Sequence, residues 1–261
     1  MTLKRAIKLL LIYTKANQLI SWEYRFNYVF RIFRIFFDFL ISFVFIDVIF
    51  SQAPSIYGWT KPQIFLIYAI YQIINSTLSF FCADSLNDLD KDVRRGDLDL
   101  ILTKPMDSQF AVSFRTIYPS NIYRIIASII IIIYAFRLLD LHPSLVTFLL
   151  SFISIVSGII IFYCFILFTA ASVFWTMRGE IVDLVVTIFS TTRYPLDIFG
   201  KKASYIFTVI PLIFIATVPA KVLLGKPDIL HYFSPIVAIV LLITSRRFWH
   251  FALRHYSSAS S

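Results

Sequence analysis

Charged residues inside apolar stretches are where this sequence most invites chemistry. Arg31, Arg34 and Asp38 follow at i, i+3 and i+7, so they share one helix face, and Arg34 and Asp38 have the spacing of an intrahelical ion pair. Arg124 lies in a later apolar stretch. A charge at membrane depth is costly and often marks a proton or substrate site. We therefore take Arg34, Asp38 and Arg124 as candidate intramembrane polar residues.

A second interpretation of these charges stays open. The arginines extend to the headgroup region, and Asp38 neutralises them. Arg124 either pairs with Asp38 across the helix bundle or extends to the headgroups as well.

No nucleotide-binding loop is present. Such a loop has the pattern G-x-x-x-x-G-K-[ST], because backbone amides and a lysine must surround the phosphates. The chain has six glycines, and the one Gly-Lys pair that precedes a loop, Gly225-Lys226, is followed by Pro227 and has Ala220 where the first glycine is required. The histidines and cysteines have no metal-ligand spacing, and no G-x-S-x-G motif occurs. We expect no catalytic, cofactor-binding or metal-binding residue in this chain.

The composition is that of a membrane protein. Of the 261 residues, 59% are hydrophobic and only 15% are charged, and the mean hydropathy is +0.80. A soluble domain has about a quarter of its residues charged. The net charge of +9 does not indicate nucleic acid, because the basic residues lie between apolar blocks.

The apolar blocks predict an all-α, polytopic fold. Residues 3–20 repeat leucine at helical spacing between lysines, which predicts an interfacial helix. Small residues on one side of the fourth block predict close packing, within the bundle or at a subunit interface. Six spans are predicted, at about 26–50, 63–83, 116–136, 145–175, 203–220 and 229–249.

The distribution of lysine and arginine predicts the orientation. An even number of spans puts both termini on one side. Of the 24 basic residues, 17 then lie on that side, three lie within spans (Arg31, Arg34 and Arg124), and four lie opposite (Lys61, Arg137, Lys221 and Lys226). The positive-inside rule therefore places both termini in the cytoplasm, together with the intervals 84–115 and 178–202.

The interval 84–115 is the longest polar stretch, and it is not uniformly polar. It contains the apolar run Leu98, Leu100, Ile101 and Leu102. A loop that needed only solvation would not carry these residues. They pack either on the protein's own interfacial helix or on a cytoplasmic partner, and the residues alone do not decide between the two.

Three segments resemble a known family. Residues 94–105 read RRGDLDLILTKP, residues 193–199 read RYPLDIF ahead of Pro211 and Pro219, and residues 248–260 read FWHFALRHYSSAS. In this order they resemble the G-x-L-D-x-x-L-x-[RK]-P stretch, the YP segment with its Pro-bearing span, and the W…L-[RK]-x-Y-S-S-A-G ending of ABC-2 permeases. Ser260 replaces the usual glycine. These permeases are membrane subunits of ABC transporters.

The resemblance implies a function and partners. The whole chain, 1–261, would be one transmembrane domain of an exporter in the bacterial cytoplasmic membrane, paired with an identical or related permease. Two copies of a cytoplasmic ATP-binding subunit would carry the ATP and Mg²⁺. The interval 84–115 would hold a coupling helix, and its expected ATPase contacts are Leu86, Asp88, Leu89, Asp92, Arg95 and Leu98.

Other classes of membrane protein fit the residues less well. The alternative is an ion-coupled secondary transporter, which would have more buried carboxylates than Asp38 or an internal inverted repeat. A membrane-embedded enzyme would have clustered His, Asp or Ser at the interface. A non-transporting scaffold would have the same composition. No motif indicates the transported substrate.

Overall fold

The computed structural model describes residues 3–23, 25–176 and 180–256. Arg178 and the end of the C-terminal motif, 257–260, lie outside these residues. Within them the chain forms helices and no strand, which confirms the all-α prediction. The helices are α1 (Leu3–Glu23), α2 (Arg25–Gln52), α3 (Lys61–Phe81), α4 (Ala83–Asn87), α5 (Leu89–Arg95), α6 (Asp97–Leu102), α7 (Ser108–Ser113), α8 (Ile122–Leu139), α9 (Leu145–Ala171), α10 (Val173–Thr176), α11 (Glu180–Ser190), α12 (Gly200–Val209), α13 (Thr217–Leu223) and α14 (Leu230–Leu253). Single 3₁₀ turns lie at Pro119–Asn121, Thr191–Arg193, Leu196–Phe199 and Leu212–Phe214.

Within the described chain, four stretches are long and apolar enough to cross a membrane: Lys61–Phe81, Pro119–Leu139, Leu145–Thr176 and Leu230–Leu253. The multi-pass prediction is therefore confirmed, while the number of six spans and the interfacial position of α1 stay predictions. The first of these stretches is 67% buried, against 17–33% for the others. Helix α3 is therefore the centre of the bundle.

Helix starts follow the local sequence. The Gln63 side chain accepts a hydrogen bond from the Thr60 amide at 3.1 Å before α3. The Ser144 hydroxyl accepts one from the Thr147 amide at 3.2 Å before α9. Each bond satisfies an amide that has no partner within the helix. Both α3 and α9 therefore begin at a polar side chain that caps the helix.

The small residues of α9 pack inside the chain. Ser151 donates a hydrogen bond to the Pro219 carbonyl at 3.2 Å. A Cβ on Gly158 would lie 3.2 Å from the carbonyl oxygens of both Phe214 and Ile215. Glycine is therefore required for the backbones to approach here. Of the two interpretations of this stripe, the contacts support packing within the bundle.

The predicted fifth span at 203–220 is wrong as a continuous helix. Helix α12 ends at Val209, and the chain turns at Pro211 before it reaches α13. Proline lacks an amide hydrogen and disfavours helical geometry in the residue before it. Residues 211–220 are all buried, whereas α12 is half-buried to exposed. The segment after Pro211 therefore folds back into the bundle.

The side predicted for the later part of the interval 178–202, around Asp197, also needs correction. Lys221 and Asp197 form an ion pair at 2.7 Å, although the sequence placed them on opposite sides of the bilayer. Groups at this distance share one side. Thr217 supports the same placement, since its hydroxyl accepts a hydrogen bond from the Leu196 amide at 3.4 Å.

The route of the chain explains this correction. The rings of Phe174 and Tyr256 lie 5.6 Å apart, so residue 174 lies at the C-terminal end of α14. Lys221 lines a pocket with Asp228, just before α14 begins. A helix of this length spans about 36 Å. The chain therefore travels along α14 between residues 174 and 197, through α11, rather than along 203–220.

Candidate functional site

The segment α4–α7 packs its apolar residues into the bundle. Leu89 and Leu98 are completely buried, and Leu86 is 1% exposed. All three belong to the same core as α3 and α9. The sequence left open whether the apolar residues of this segment pack on their own chain or on a cytoplasmic partner. These three residues pack within their own chain. Their prediction as direct ATPase contacts is wrong, because a buried side chain has no surface to offer.

One ion pair connects α5 to another part of the chain, and a second lies within α5 itself. Asp92 pairs with Arg115, and Asp90 pairs with Arg94. Asp92 is only 7% exposed. Burial raises the pKa of its carboxyl, and the Arg115 guanidinium opposes that rise. Asp92 therefore has a structural role inside the chain, and its prediction as a contact is corrected as well.

The surface of this segment carries four exposed basic side chains and one large exposed apolar side chain, next to the exposed carboxylate of Asp97. We call it the coupling tip and define it as Lys91, Arg94, Arg95, Leu100 and Lys104, all of which are exposed. Leu100 is 67% exposed, although its neighbours in sequence are buried or half-buried. Of the six predicted contacts, Arg95 lies on the tip, and Asp88 lies beside it, paired with Lys91 at 2.6 Å. Contact with an ATPase stays a prediction for both.

Helical periodicity would have identified the basic residues of the tip that lie on α5. Lys91, Arg94 and Arg95 follow at i, i+3 and i+4, which is one face of α5, while Leu89 and Val93 lie on the opposite face and are buried. The sequence reasoning instead mixed residues of both faces.

Two side-chain contacts connect this segment to α14. Arg246 forms an ion pair with Asp107 at 2.7 Å. The indole nitrogen of Trp249, which is fully buried, donates a hydrogen bond to the Ser108 hydroxyl at 3.0 Å. Although partial burial raises the pKa of the Asp107 carboxyl, Arg246 and the Phe110 amide outweigh it, and the pKa lies below its usual value. A displacement of α7 would therefore act directly on α14.

The intramembrane polar residues form a cluster across three helices. Asp38 of α2 and Arg124 of α8 pair at 3.5 Å. Gln72 of α3 donates hydrogen bonds from its amide nitrogen to Asp38 at 3.0 Å and to the Tyr68 hydroxyl at 2.7 Å. Of the two possibilities for Arg124, the geometry is that of a pair across the bundle. Gln72 was missed by the sequence reasoning, because an uncharged amide in an apolar block carries no electrostatic signal.

Arg34 does not join this cluster. It is exposed, and among the described residues the ion pair of Asp38 is with Arg124 and not with Arg34. The positive charge of Arg34 instead influences the pKa of the Asp84 carboxyl at the end of the bundle. Burial raises the pKa of the Asp84 carboxyl, and the positive charges of Arg31 and Arg34 oppose that rise. The predicted intrahelical pair of Arg34 and Asp38 is therefore wrong.

Metal or nucleotide chemistry has no visible site in the described part of the chain. No group of three or more His, Cys, Asp or Glu side chains is placed there to hold a metal ion. What the geometry defines is a multi-pass helical protein with an ion pair inside the bundle and a basic surface at one end.

Comparison with known proteins identifies the family. A family model described as ABC-2 family transporter protein matches residues 36–260. The match covers most of the chain, so the protein belongs to the ABC-2 transporter family, as the three sequence segments predicted. It is a membrane permease component of an ABC transporter, which implies an ATPase partner, and members of this family are generally not themselves catalytic. No curated protein and no solved structure matches the chain.

Proposed function

We propose that this chain is the permease subunit of an ABC exporter in the bacterial cytoplasmic membrane. It forms the translocation path with a second permease, identical or related. Two copies of a separate cytoplasmic ATPase subunit, which bind ATP and Mg²⁺, drive it through the coupling tip.

One observation carries the coupling part of this proposal. The segment α4–α7 buries Leu89, Val93 and Leu98 in the bundle and exposes cations and Leu100 on its other face. Arginine is enriched at protein–protein interfaces, and Leu100 beside the arginines of the tip adds an apolar side chain that a partner would remove from water. A partner with an acidic rim and an apolar pocket would match both features.

The contacts behind the tip support its use as a lever. The pair of Arg115 with Asp92 connects α5 to the entry of α8, and Arg246 and Trp249 connect α7 to α14. Closure of an ATPase dimer would then move several membrane helices together. ATP biases the inward-open and outward-open states only through its different affinity for the two, since coupling is a difference in free energy.

The corrected route of the chain does not change the proposed orientation, in which both termini lie in the cytoplasm. Arg193, Lys201 and Lys202 leave the side of the termini, because they flank or follow Asp197. That side still holds 14 of the 24 basic residues, against seven opposite. The excess supports cytoplasmic termini and a cytoplasmic tip, where ATP is available.

The test is recovery of the ATPase with the tagged, full-length chain in mild detergent. Arg95→Glu and Leu100→Ser are the test variants, and Lys226→Glu, an exposed charge reversal at the other end of the molecule, is the matched control. We expect near-stoichiometric recovery with the unaltered chain and the control. Each tip variant should lower it by about tenfold, which corresponds to about 1.4 kcal/mol.

Two results would contradict the proposal at different points. Equal recovery with all variants would keep the permease and place the ATPase contact elsewhere. If no ATPase is recovered even after crosslinking in native membranes, the ATP-driven mechanism is wrong. The alternative, ion-coupled transport through Asp38 and Arg124, would then be tested by uptake under an imposed proton or sodium gradient.

A further inference from the structure

A cavity of about 360 Å³ lies between α3, α7, α9 and α14, at the end of the bundle where the coupling segment attaches. It is open to the surroundings and its exposed walls are almost entirely apolar. The volume is within the range of sites that bind small molecules. It is lined by Thr77, Leu78, Phe81, Cys82, Asp107, Gln109, Phe110, Phe114, Ile159, Ile160, Tyr163, Leu242 and Arg246.

The cavity is not only an apolar crevice, because one wall carries a polar group without a partner. Gln109 is 7% exposed, and its amide nitrogen donates a hydrogen bond to the Tyr163 hydroxyl at 3.0 Å. Tyr163 is in turn bonded to the Ser113 hydroxyl at 2.9 Å. The amide oxygen of Gln109 has no hydrogen-bond partner among the described residues. This oxygen is enclosed by the protein, so it is a costly unsatisfied acceptor behind the cavity wall rather than a contact that is open to a ligand.

The rim of the cavity carries a cation. The Arg246 side chain is 55% exposed and pairs with Asp107 through one terminal nitrogen. A planar guanidinium can bind a carboxylate on one edge and a phosphate on another. Asp107 is engaged at the same time by the Phe110 amide at 3.0 Å, which caps α7, so the rim is held in place without a ligand.

We propose that this cavity is a binding site for one phospholipid, with an acyl chain in the apolar part and the phosphate on Arg246. Leu242 and Arg246 are one turn apart on α14, so the step from apolar wall to cation matches the order of chain and headgroup in a lipid. Hydrocarbon fills the apolar volume with dispersion contacts that water does not supply.

The site has a consequence for the transport cycle. Two of the helices around the cavity, α7 and α14, are connected to each other by the ion pair of Asp107 and Arg246. A lipid that binds there contacts both sides of the Asp107–Arg246 pair. Its affinity would therefore depend on the position of α7, and it would favour the arrangement in which the cavity is formed.

Photolabelling of the full-length chain in phosphatidylcholine nanodiscs tests this proposal without an ATPase. The probes are phosphatidylglycerol with a diazirine on one acyl chain and diacylglycerol with the same chain. We expect adducts concentrated on the peptides of Phe110, Ile160 and Leu242. Labelling by the phosphatidylglycerol probe should exceed that by diacylglycerol by about tenfold, the effect of one charge-assisted contact.

Matched variants separate the cavity from the general lipid surface. Ile160→Trp fills the cavity and should lower these adducts by about tenfold, whereas Ile153→Trp, on the exposed face of the same helix, should not. Arg246→Gln should remove the preference for phosphatidylglycerol, and Arg247→Gln should not. If Arg246→Gln impairs folding, the double variant with Asp107→Asn keeps the α7 cap and leaves no unpaired charge.

Three outcomes overturn the proposal. Adducts spread evenly over the exposed helices would mean that the cavity holds no lipid. Equal labelling by the two probes would exclude a role for the phosphate. Crosslinks that join two copies of the chain through these peptides would show that the cavity is an interface between subunits.

Discussion

The ion pair of Asp38 and Arg124 allows a quantitative test of how the bundle is held together. The variants are Asp38→Asn, Arg124→Gln and the double variant, all close in shape to the original side chains. With the charges 3.5 Å apart and an effective dielectric constant of about 20, the Coulomb attraction is about 5 kcal/mol.

Two features of the site reduce the net effect. The Asp38 side chain is 34% exposed, which weakens the attraction, and Gln72 stays bonded to Asp38 when Arg124 is replaced. Desolvation and side-chain ordering offset a further part. We therefore expect a coupling energy of about 2 kcal/mol, with each single variant destabilised by about 2–3 kcal/mol.

Thermal unfolding of the purified chain in detergent measures this. For a chain of this size each kcal/mol shifts the Tm by about 2–4 °C, so each single variant should unfold about 4–12 °C lower. The double variant should be less destabilised than the sum of the two, by about 2 kcal/mol, because neither partner is left with an uncompensated charge. Additive effects would refute the pair as a stabilising contact, and a double variant that is fully stable but inactive in transport would assign the pair a functional role.

Three further substitutions test the packing and the electrostatics. Gly158→Ala should destabilise the chain by about 1 kcal/mol, because a Cβ at 3.1–3.2 Å from its neighbours outweighs the helix propensity of alanine, and an unchanged or higher Tm would contradict the close approach. Asp84 has a raised pKa, so its protonated form stabilises the fold below the ordinary value of 3.8, and this contribution is lost as the pH rises through the folded pKa. Asp84→Asn should therefore raise the Tm at pH 7, with the gain disappearing at pH 4 and below, whereas a lower Tm at pH 7 would mean that the ionised carboxylate has a compensating partner. Trp249→Phe removes a buried ring and the bond to Ser108, which should cost about 2–3 kcal/mol in the same Tm assay, and a loss below about 0.5 kcal/mol would disprove the connection between α7 and α14.

The errors in the sequence reasoning share one cause. Whether residues 203–220 form one helix depends on how the backbone around Pro211 satisfies its hydrogen bonds, and that depends on the helices beside it. The apolar content of this segment predicted one continuous span, whereas α12 ends at Val209 and residues 211–220 are buried within the bundle. Hydropathy cannot distinguish burial in lipid from burial in the bundle, because both environments favour the same side chains.

The coupling segment illustrates the same point at smaller scale. The presence of leucines in 84–115 predicted correctly that the segment packs on something. The mixture of Leu98, which is buried, and Leu100, which is exposed, arises because only one face of α6 contacts the bundle. The spacing of the residues indicates which of them share a face, but the structure is needed to tell which face is covered.

The sequence by itself determined that this protein crosses a membrane several times, that it is helical, and that it belongs to the ABC-2 transporter family. These properties follow from block hydropathy and from motifs that are local in the chain. Only the tertiary structure decided that Asp38 pairs with Arg124, that Asp197 meets Lys221, and that Arg95 and Leu100 are exposed while Leu98 is buried. Each of these features depends on how helices that are distant in sequence pack against one another. No local pattern specifies that packing.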